Sequence, residues 1–250
     1  MSLVFRHAII VGASSGIGAE IARQLAAEGC AVALLARRED ELLKVAADIS
    51  AAGRGRAIVA PHDVTQYDTV PALLDRLVKD LGGLDLLVYA SGIMFTPGEG
   101  EYDFARDRAQ IEVNLLGAMA WTTPVAAMFE ARRAGTIVGI SSIAGERGRR
   151  TFPGYSTSKA GLSTWLEGLR NRVARFGVNV VTVKPGVVDT AMSANLERKP
   201  MMVPARKAAA LILAAARRGN SASVFVPGVW RLVAMVLRHM PSIIFRRLNI

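Results

Sequence analysis

The sequence predicts an α/β protein built on a doubly wound, seven-stranded parallel sheet. Three observations support this: short apolar or β-branched runs alternate with longer amphipathic segments, most runs are apolar on both faces, and the composition can fill a large core. Strands separated by helices form parallel crossovers, and continuous apolar runs suit strands covered on both sides. With 51% hydrophobic and 21% charged residues, the 250 residues are predicted to form a single domain.

Seven short runs are predicted as strands and four longer segments as helices. The strands are predicted at 8–11, 31–35, 57–60, 84–89, 136–140, 178–183 and 224–226. The helices are predicted at 17–28, 39–52, 70–81 and 155–176, and a glycine follows each of them. In such a sheet the ligand binds beyond the carboxyl ends of the strands, so the loops after the runs hold the candidate site.

The net charge of +10 is concentrated in the last fifth of the chain. All 21 acidic residues lie at or before Glu197, whereas residues 198–250 contain ten Lys or Arg and no Asp or Glu. This distribution argues against a protein that coats nucleic acid. It favours a localised anionic partner, such as a lipid surface or a phosphorylated substrate, with a solvated Arg-rich face as the alternative.

The basic, apolar C-terminal segment, residues 228–250, leaves several interactions open. Its uncharged stretch, 232–237, is far shorter than the roughly 20 residues needed to span a bilayer. Trp230 and the surrounding arginines could lie in an anionic membrane surface. Packing over the binding pocket or on a neighbouring subunit is the other interpretation.

The single cysteine, Cys30, excludes an internal disulfide and favours a reducing compartment. The first ten residues show no signal-peptide pattern, so we expect a cytoplasmic protein, with peripheral contact at the inner membrane face left open. His7, His62 and His239 have no partner at metal-ligand spacing, and we predict no metal site.

A glycine-rich turn follows the first predicted strand. It reads Gly12-Ala13-Ser14-Ser15-Gly16-Ile17-Gly18 and leads directly into a helix. Glycines permit a tight turn and close approach of a pyrophosphate to backbone N–H groups, and the helix N-terminus favours negative charge. We therefore expect Gly12, Ser14, Ser15, Gly16, Ile17 and Gly18 to bind a dinucleotide.

The end of the second predicted strand indicates which dinucleotide. Where an NAD-selective protein usually presents a carboxylate, this chain has Ala36 followed by Arg37 and Arg38. A guanidinium can bind the 2′-phosphate that a carboxylate would repel, so NADP(H) is predicted over NAD(H). The alternative is that the two arginines only begin a solvated helix. Asp63, beside Val64 after the third strand, is placed to meet the adenine edge.

Tyr155 is the one tyrosine of four that has a lysine four residues later. In a helix Tyr155 and Lys159 share a face, so the ammonium is expected to lower the phenol pKa from about 10 and make Tyr155 a usable proton donor. Ser142 follows a strand at the same sheet edge and can stabilise the substrate oxygen. Asn114 interrupts an apolar helical stretch and is either a water-mediated link to Lys159 or a satisfied core amide.

Together these motifs resemble the short-chain dehydrogenase/reductase family from the first strand to about Thr190. The glycine turn, Asn114, Ser142, Tyr155-x-x-x-Lys159 and the stretch from Lys184-Pro185-Gly186 to Thr190 follow the family's order. The resemblance implies a seven-stranded Rossmann sheet, an Asn-Ser-Tyr-Lys tetrad, a nicotinamide ribose held by Lys159, and a homodimer or homotetramer. The remaining cofactor contacts that it implies are Ala90, Gly92, Pro185, Gly186, Val188 and Thr190.

Two departures from the family pattern are visible. The usual threonine before the first glycine is Val11, and the Asn-Asn-Ala-Gly signature reads Tyr89-Ala90-Ser91-Gly92. Losing that asparagine puts in doubt a side-chain contact that braces the central sheet, although no proton-transfer group is affected.

Residues 191–202 fall where the family carries a mobile substrate lid. The methionines Met192, Met201 and Met202, with Met94 and Phe95, suggest an adaptable apolar pocket or ordinary core. Residues 141–150 and 235–248 are similar to one branch, the decaprenylphosphoryl keto-ribose reductases, which act on a polyprenylphosphoryl keto-pentose.

The sequence therefore predicts an NADP(H)-dependent oxidoreductase acting on a ketone or secondary alcohol, with no nucleic-acid partner. There are three alternatives: a reductase of a lipid-linked keto-pentose, a catalytically idle nucleotide-binding sensor, and a binding module driven by the basic tail.

Overall fold

A parallel sheet organises the protein. The computed structural model describes residues 3–98, 100–194, 196, 199–220 and 222–247. The strands are β1 (His7–Val11), β2 (Ala31–Ala36), β3 (Arg56–Pro61), β4 (Leu86–Tyr89), β5 (Gly135–Ile140), β6 (Val178–Pro185), β7 (Val188–Asp189), β8 (Val203–Pro204) and β9 (Ser223–Val226). The seven-stranded sheet has the order β3-β2-β1-β4-β5-β6-β9 with every neighbouring pair parallel, which confirms the predicted fold class.

Helices connect the strands as crossovers. They are α1 (Gly16–Ala27), α2 (Glu39–Ala52), α3 (Val70–Leu81), α4 (Phe104–Ile111), α5 (Gly117–Arg132), α6 (Pro153–Val173), α7 (Ala205–Ala216), α8 (Trp230–His239) and α9 (Ser242–Phe245). A π-helical turn, Glu112–Leu116, joins α4 to α5. The chain winds outward from β1 to β3 and then returns to place β4 on the other side of β1, so a crevice opens between the carboxyl ends of β1 and β4.

Two apolar layers cover the sheet because successive strand residues point to opposite faces. In β1, Ile10 joins the layer under α1, α2 and α7, whereas Ile9 and Val11 join the layer under α3, α5 and α6. Cys30 is buried in the first layer, and burial raises the pKa of its thiol to about 12, as expected of a small core side chain.

All seven predicted strands and all four predicted helices are present, with shifts at their ends. The strand predicted at 84–89 begins at Leu86, because the Asp85 carboxylate accepts hydrogen bonds from the backbone N–H of Arg6 (3.0 Å) and His7 (3.1 Å). The predicted helix 155–176 begins at Pro153, a residue favoured in the first helical turn. The two-residue pair β7–β8 has no period in the sequence and was not predicted.

The C-terminal segment packs on the same chain. Trp230 and Ala234 of α8 form a small apolar cluster with Ile143, which follows β5. A Cβ atom on Gly186 would lie 1.9 Å from the Trp230 indole nitrogen, so the turn after β6 requires glycine there. Residues 248–250 of this segment lie outside the described residues. No described helix is both long and apolar enough to cross a membrane.

Polar contacts fix α8 and α9 to the loop that follows β5. The buried Glu146 carboxylate pairs with Lys184 of β6 (Nζ–Oε1, 2.7 Å) and with Arg238 of α8. Arg147 donates to the Leu237 carbonyl (2.8 Å) and the Ser242 hydroxyl (3.1 Å). Its guanidinium also lies 4.1 Å from the centre of the Phe245 ring. We call this set of contacts the C-terminal clasp.

Candidate active site

A cleft of about 380 Å³ lies at the carboxyl ends of the strands. Every predicted site residue except Asn114 contributes to its wall, although the residues come from six different loops. These wall residues are Gly12, Ser14, Ser15, Gly16, Ile17, Gly18, Arg37, Asp63, Val64, Ala90, Gly92, Ser142, Tyr155, Lys159, Pro185, Gly186, Val188 and Thr190.

The glycine-rich turn is shaped by close backbone contacts. Gly12 has φ +95°, and a Cβ atom there would lie 2.4 Å from the Ser91 backbone nitrogen. A Cβ atom on Gly18 would lie 2.1 Å from the Gly12 carbonyl oxygen. The turn therefore exposes the N-terminus of α1 to the cleft, as a pyrophosphate site requires.

Arginines stand beside this turn. Arg38 donates to the hydroxyls of Ser14 (3.1 Å) and Ser15 (3.3 Å), and Arg37 lines the same part of the cleft. The sequence named both arginines for the NADP(H) preference and selected Arg37 as the cofactor contact, and the structure places both at the cleft. Both guanidinium groups are exposed and able to meet a phosphate.

Asp63 is held in its charged form. Its Oδ1 accepts hydrogen bonds from the backbone N–H (3.0 Å) and hydroxyl (2.8 Å) of Thr65. Burial alone would raise the pKa of Asp63, but these hydrogen bonds and nearby Arg37 bring that pKa below its usual value. His62 packs edge-on against Trp121, and burial lowers its pKa, in keeping with a structural histidine. No cluster of metal-ligating side chains occurs among the described residues.

Tyr155 and Ser142 meet in the cleft. Tyr155 lies in the first turn of α6 and Ser142 follows β5, and both side chains are almost completely buried. The Ser142 hydroxyl accepts from the Ala144 backbone N–H (3.1 Å), and its proximity to the Tyr155 phenol acts to lower the pKa of that phenol. Two hydroxyl groups are thereby directed at one point in the cleft.

Burial, and not Lys159, has the largest effect on the phenol. Burial raises the pKa of Tyr155, while the hydrogen bond with Ser142 and the charge of Arg149 act in the lowering direction. The Lys159 ammonium lies 5.7 Å from the Tyr155 ring centre and donates to the Ile140 carbonyl (2.9 Å). Burial lowers the pKa of Lys159 to about 8. The expectation that Lys159 brings the Tyr155 pKa below 10 is therefore wrong, because desolvation outweighs the lowering effects.

Asn114 lies behind the cleft wall in the π-helical turn. Its amide accepts from the Ile93 backbone N–H (2.8 Å) and donates to the Ile93 carbonyl and the Ser158 hydroxyl, both at 2.9 Å. These bonds match the satisfied core amide of the two alternatives. Asn114 Oδ1 and Lys159 Nζ would both lie 3.3 Å from a Cβ atom on Gly92, so the two groups face a common point.

Tyr89 supplies a brace where the family signature has asparagine. Its buried phenol donates to the Val113 carbonyl (2.5 Å) in the π-helical turn. A Cβ atom on Gly117 would lie 2.5 Å from the same phenol oxygen, so Gly117 makes room for it. The end of β4 is thus attached to the segment that carries Asn114.

The predicted lid, residues 191–202, is only partly positioned at the cleft. Met192 and Met94 line it, whereas Phe95, Met201 and Met202 do not, so two of the five side chains match the apolar-pocket alternative. Met201 and Met202 are about 40% exposed, and Met201 has φ +50°. Residues 195, 197 and 198 of the predicted lid lie outside the described residues.

Sequence reasoning missed Arg149 and Phe152, which line the cleft beside Tyr155. The available signal was their position in the chain, between Ser142 and Tyr155. Residues 146–150 contain three arginines, Arg147, Arg149 and Arg150, and nothing in the pattern distinguishes Arg149 from the other two.

The parallel sheet and the glycine-rich turn at its switch point define an NAD(P)-binding Rossmann oxidoreductase. A family model described as short chain dehydrogenase matches residues 6–201. This chain belongs to the short-chain dehydrogenase/reductase family.

Curated relatives extend over most of the chain. An uncharacterized oxidoreductase of Mycobacterium tuberculosis is 32% identical over 246 residues, which cover 96% of this chain and 95% of the relative. A ketoacyl reductase of Nostoc is 34% identical over 200 residues, covering 77% of this chain and 69% of the relative.

Solved structures share the fold. Levodione reductase superposes with a TM-score of 0.82 at 21% identity, covering 91% of this chain and 98% of that chain. The 3-oxoacyl-[acyl-carrier protein] reductase from Brucella melitensis gives 0.77 at 22% identity, covering 88% and 90%.

Proposed function

We propose that this protein is an NADP(H)-dependent carbonyl reductase acting on a ketone or the matching secondary alcohol. The observation that carries the proposal is the meeting of Tyr155, Ser142 and Lys159 on the wall of the cleft that also contains the glycine-rich turn. The phenol of Tyr155 and the ammonium of Lys159 come from α6 and the hydroxyl of Ser142 from the segment after β5, and the apolar core does not require these three polar groups to meet.

The three side chains can move and stabilise charge at one substrate oxygen. A bound nicotinamide supplies or accepts the hydride. Tyr155 donates its proton to the carbonyl oxygen during reduction and accepts it back during oxidation, while Ser142 hydrogen-bonds the same oxygen. Because burial raises the pKa of Tyr155, the phenol is protonated at neutral pH, which suits reduction.

Replacing Tyr155 with phenylalanine tests the proposal. We expect Tyr155→Phe to lower kcat for NADPH-dependent ketone reduction by roughly 10²–10⁴-fold, the usual contribution of a general acid. The measurement is NADPH consumption with ketones of graded size and charge.

Tyr102→Phe is the matched control, since Tyr102 is 98% exposed, and it should leave kcat unchanged. Retained turnover in Tyr155→Phe would contradict the proton-donor assignment. NADPH binding by the wild type without turnover of any ketone would favour the idle sensor.

The NADP(H) preference rests on Arg37 and Arg38 beside the serines of the glycine-rich turn. We expect the double variant Arg37→Ala, Arg38→Ala to raise KM for NADPH by about 10–100-fold, as loss of charge-assisted bonds to a phosphate predicts, and to change KM for NADH little. Steady-state kinetics with both cofactors measure this. Arg76→Ala, on the exposed face of α3, is the control, and equal effects on both cofactors would argue against the preference.

A polyprenylphosphoryl keto-pentose is the second candidate substrate. The observation that favours it is the outer face of α8, where Leu232, Met235 and Val236 are more than half exposed beside arginines. We propose that this face contacts an anionic membrane surface, where a lipid-linked substrate would reside. We also propose that residues 191–202 act as a substrate lid. We further propose that the protein is cytoplasmic and forms a homodimer or homotetramer; light scattering would measure the number of subunits.

A further inference from the structure

Arg149 occupies an unusual position in the cleft. Its side chain is half-buried and lines the same wall as Tyr155. Its neighbours in sequence are engaged elsewhere: Arg147 belongs to the C-terminal clasp, and Arg150 is exposed and has its own partner. None of the described carboxylates forms an ion pair with Arg149, so its charge is turned toward the cleft without compensation.

Arg38 and Lys159, two other cations of the cleft, donate hydrogen bonds within the protein, and Arg37 is exposed to solvent. Arg37 and Arg38 lie beside the glycine-rich turn and Asp63, and Lys159 donates to the Ile140 carbonyl. Burying an unpaired charge is costly, and burial lowers the pKa of the Arg149 guanidinium, although nearby Tyr155 acts in the opposite direction. A guanidinium stays charged even so, and its cost is recovered when an anion binds.

We propose that Arg149 binds an anionic group of the substrate, a carboxylate or a phosphate, and so selects acidic carbonyl compounds over neutral ones. This inference rests on the proposed carbonyl reductase function and specifies its substrate class. Arg149 and Tyr155 line the same cleft and their charges affect each other, so a substrate that reaches both groups carries its anionic group near the carbonyl. The apolar side chains of Ile93, Met94, Ile143 and Met192 on the cleft wall receive the remainder of the substrate.

Arg149 also acts on Tyr155 through its charge. The guanidinium contributes to lowering the pKa of the phenol, against the effect of burial. Removing the charge must therefore raise the Tyr155 pKa further. In the oxidation direction the phenol must be deprotonated, so the rising limb of the pH–rate profile should move to higher pH in Arg149→Gln.

The test compares matched ketones that differ only in charge. One pair is 4-oxopentanoate and its methyl ester, and the other is dihydroxyacetone phosphate and dihydroxyacetone. The wild type should prefer an anionic member, and Arg149→Gln should lower kcat/KM for it by about 100-fold while changing the neutral member less than about threefold. Arg149→Lys should restore part of the loss. The pair with the larger effect distinguishes a carboxylate substrate from a phosphate substrate.

Arg150→Gln is the matched control, because it removes the same charge from the same loop outside the cleft wall. It should leave both members of each pair unchanged. Equal losses of kcat/KM for charged and neutral ketones in Arg149→Gln, or an unmoved pH profile, would overturn the inference.

A binding measurement separates this inference from the proposed function. Titration of each ketone into enzyme saturated with NADP⁺ cannot lead to reduction, so calorimetry reports affinity alone. We expect an anionic member to bind at least tenfold more tightly than its neutral partner, and Arg149→Gln to abolish the difference. If the anionic ketone binds in an Arg149-dependent way but is not reduced by NADPH, the proposed reductase function is contradicted and the anion-binding role of Arg149 is supported. If ketones are reduced with no preference for the charged member, the reductase function is supported and the anion-binding role of Arg149 is contradicted.

Discussion

Burial governs the chemistry of single residues in this cleft. Tyr155 and Lys159 are adjacent on α6 and less than a tenth exposed, and desolvation shifts their pKa values in opposite directions. Each shift favours the neutral form, because a low-dielectric environment disfavours charge of either sign. The phenol therefore keeps its proton at neutral pH, and the pKa of the lysine falls from 10.5 to about 8.

Lys159 should lower the stability of the protein while supporting its activity. Between about pH 8 and the usual lysine pKa near 10.5, the unfolded chain binds more protons than the folded one, so this group makes stability rise with pH. Below about pH 8, where Lys159 is charged in the folded protein, its burial lowers the free energy of unfolding by the full amount. We expect Lys159→Met to be inactive yet to unfold a few degrees higher than the wild type at pH 7, roughly 1 kcal/mol, with the difference shrinking toward pH 10.

Thermal unfolding followed by circular dichroism at pH 7, 8, 9 and 10 measures this effect. Lys79→Met, on the exposed end of α3, removes a lysine that is not buried and should show no pH-dependent gain. A gap between wild type and Lys159→Met that stays constant with pH would show that the buried charge is not its source.

At the scale of elements, α8 combines a fixed inner face with an exposed apolar outer face. Trp230, Ala234 and Leu237 are buried, and the C-terminal clasp holds the helix through Glu146 and Arg147. Leu232 and Met235 point outward and are 60% and 55% exposed. The outer face also carries the exposed Arg231, Arg238 and His239, and a patch of large exposed apolar side chains commonly marks a contact surface.

The proposed contact with an anionic lipid surface rests on the charge near this face. Arg231, Arg246 and Arg247 are exposed and form no ion pair with a described carboxylate. We expect the protein to float with vesicles of phosphatidylcholine mixed with phosphatidylglycerol, but not with phosphatidylcholine alone, and to dissociate in high salt. The double variant Leu232→Ser, Met235→Ser should reduce binding roughly tenfold, as lost apolar burial predicts.

Leu43→Ser is the control for this prediction, because Leu43 is a 54% exposed leucine on α2, far along the chain from the basic segment. It should leave vesicle binding intact. Equal flotation with both kinds of vesicle, or a dimer interface that covers α8 in solution, would refute the membrane assignment.

Across the whole molecule, the spacing of apolar residues along the chain predicted the seven strands of the main sheet and four of the helices. The helix 70–81 was predicted to the residue, since its leucines recur at helical spacing and Gly82 follows it. The four predicted helices do not include α4, α5, α7, α8 or α9, and the pair β7–β8 and the π-helical turn were also not predicted. The pair β7–β8 joins residues about 15 positions apart, and the π-helical turn of Asn114 accommodates the Tyr89 phenol.

The local sequence by itself determined the order of strands and helices, the glycine-rich turn and the Tyr155–Lys159 pair, because each depends on residues within one or two turns of chain. Only the tertiary structure decided how strongly burial shifts the pKa values and that Tyr89 braces the turn carrying Asn114. It also decided that Arg149, among three nearby arginines, lines the cleft. Desolvation and packing depend on neighbours supplied by other loops, and a linear pattern does not contain them.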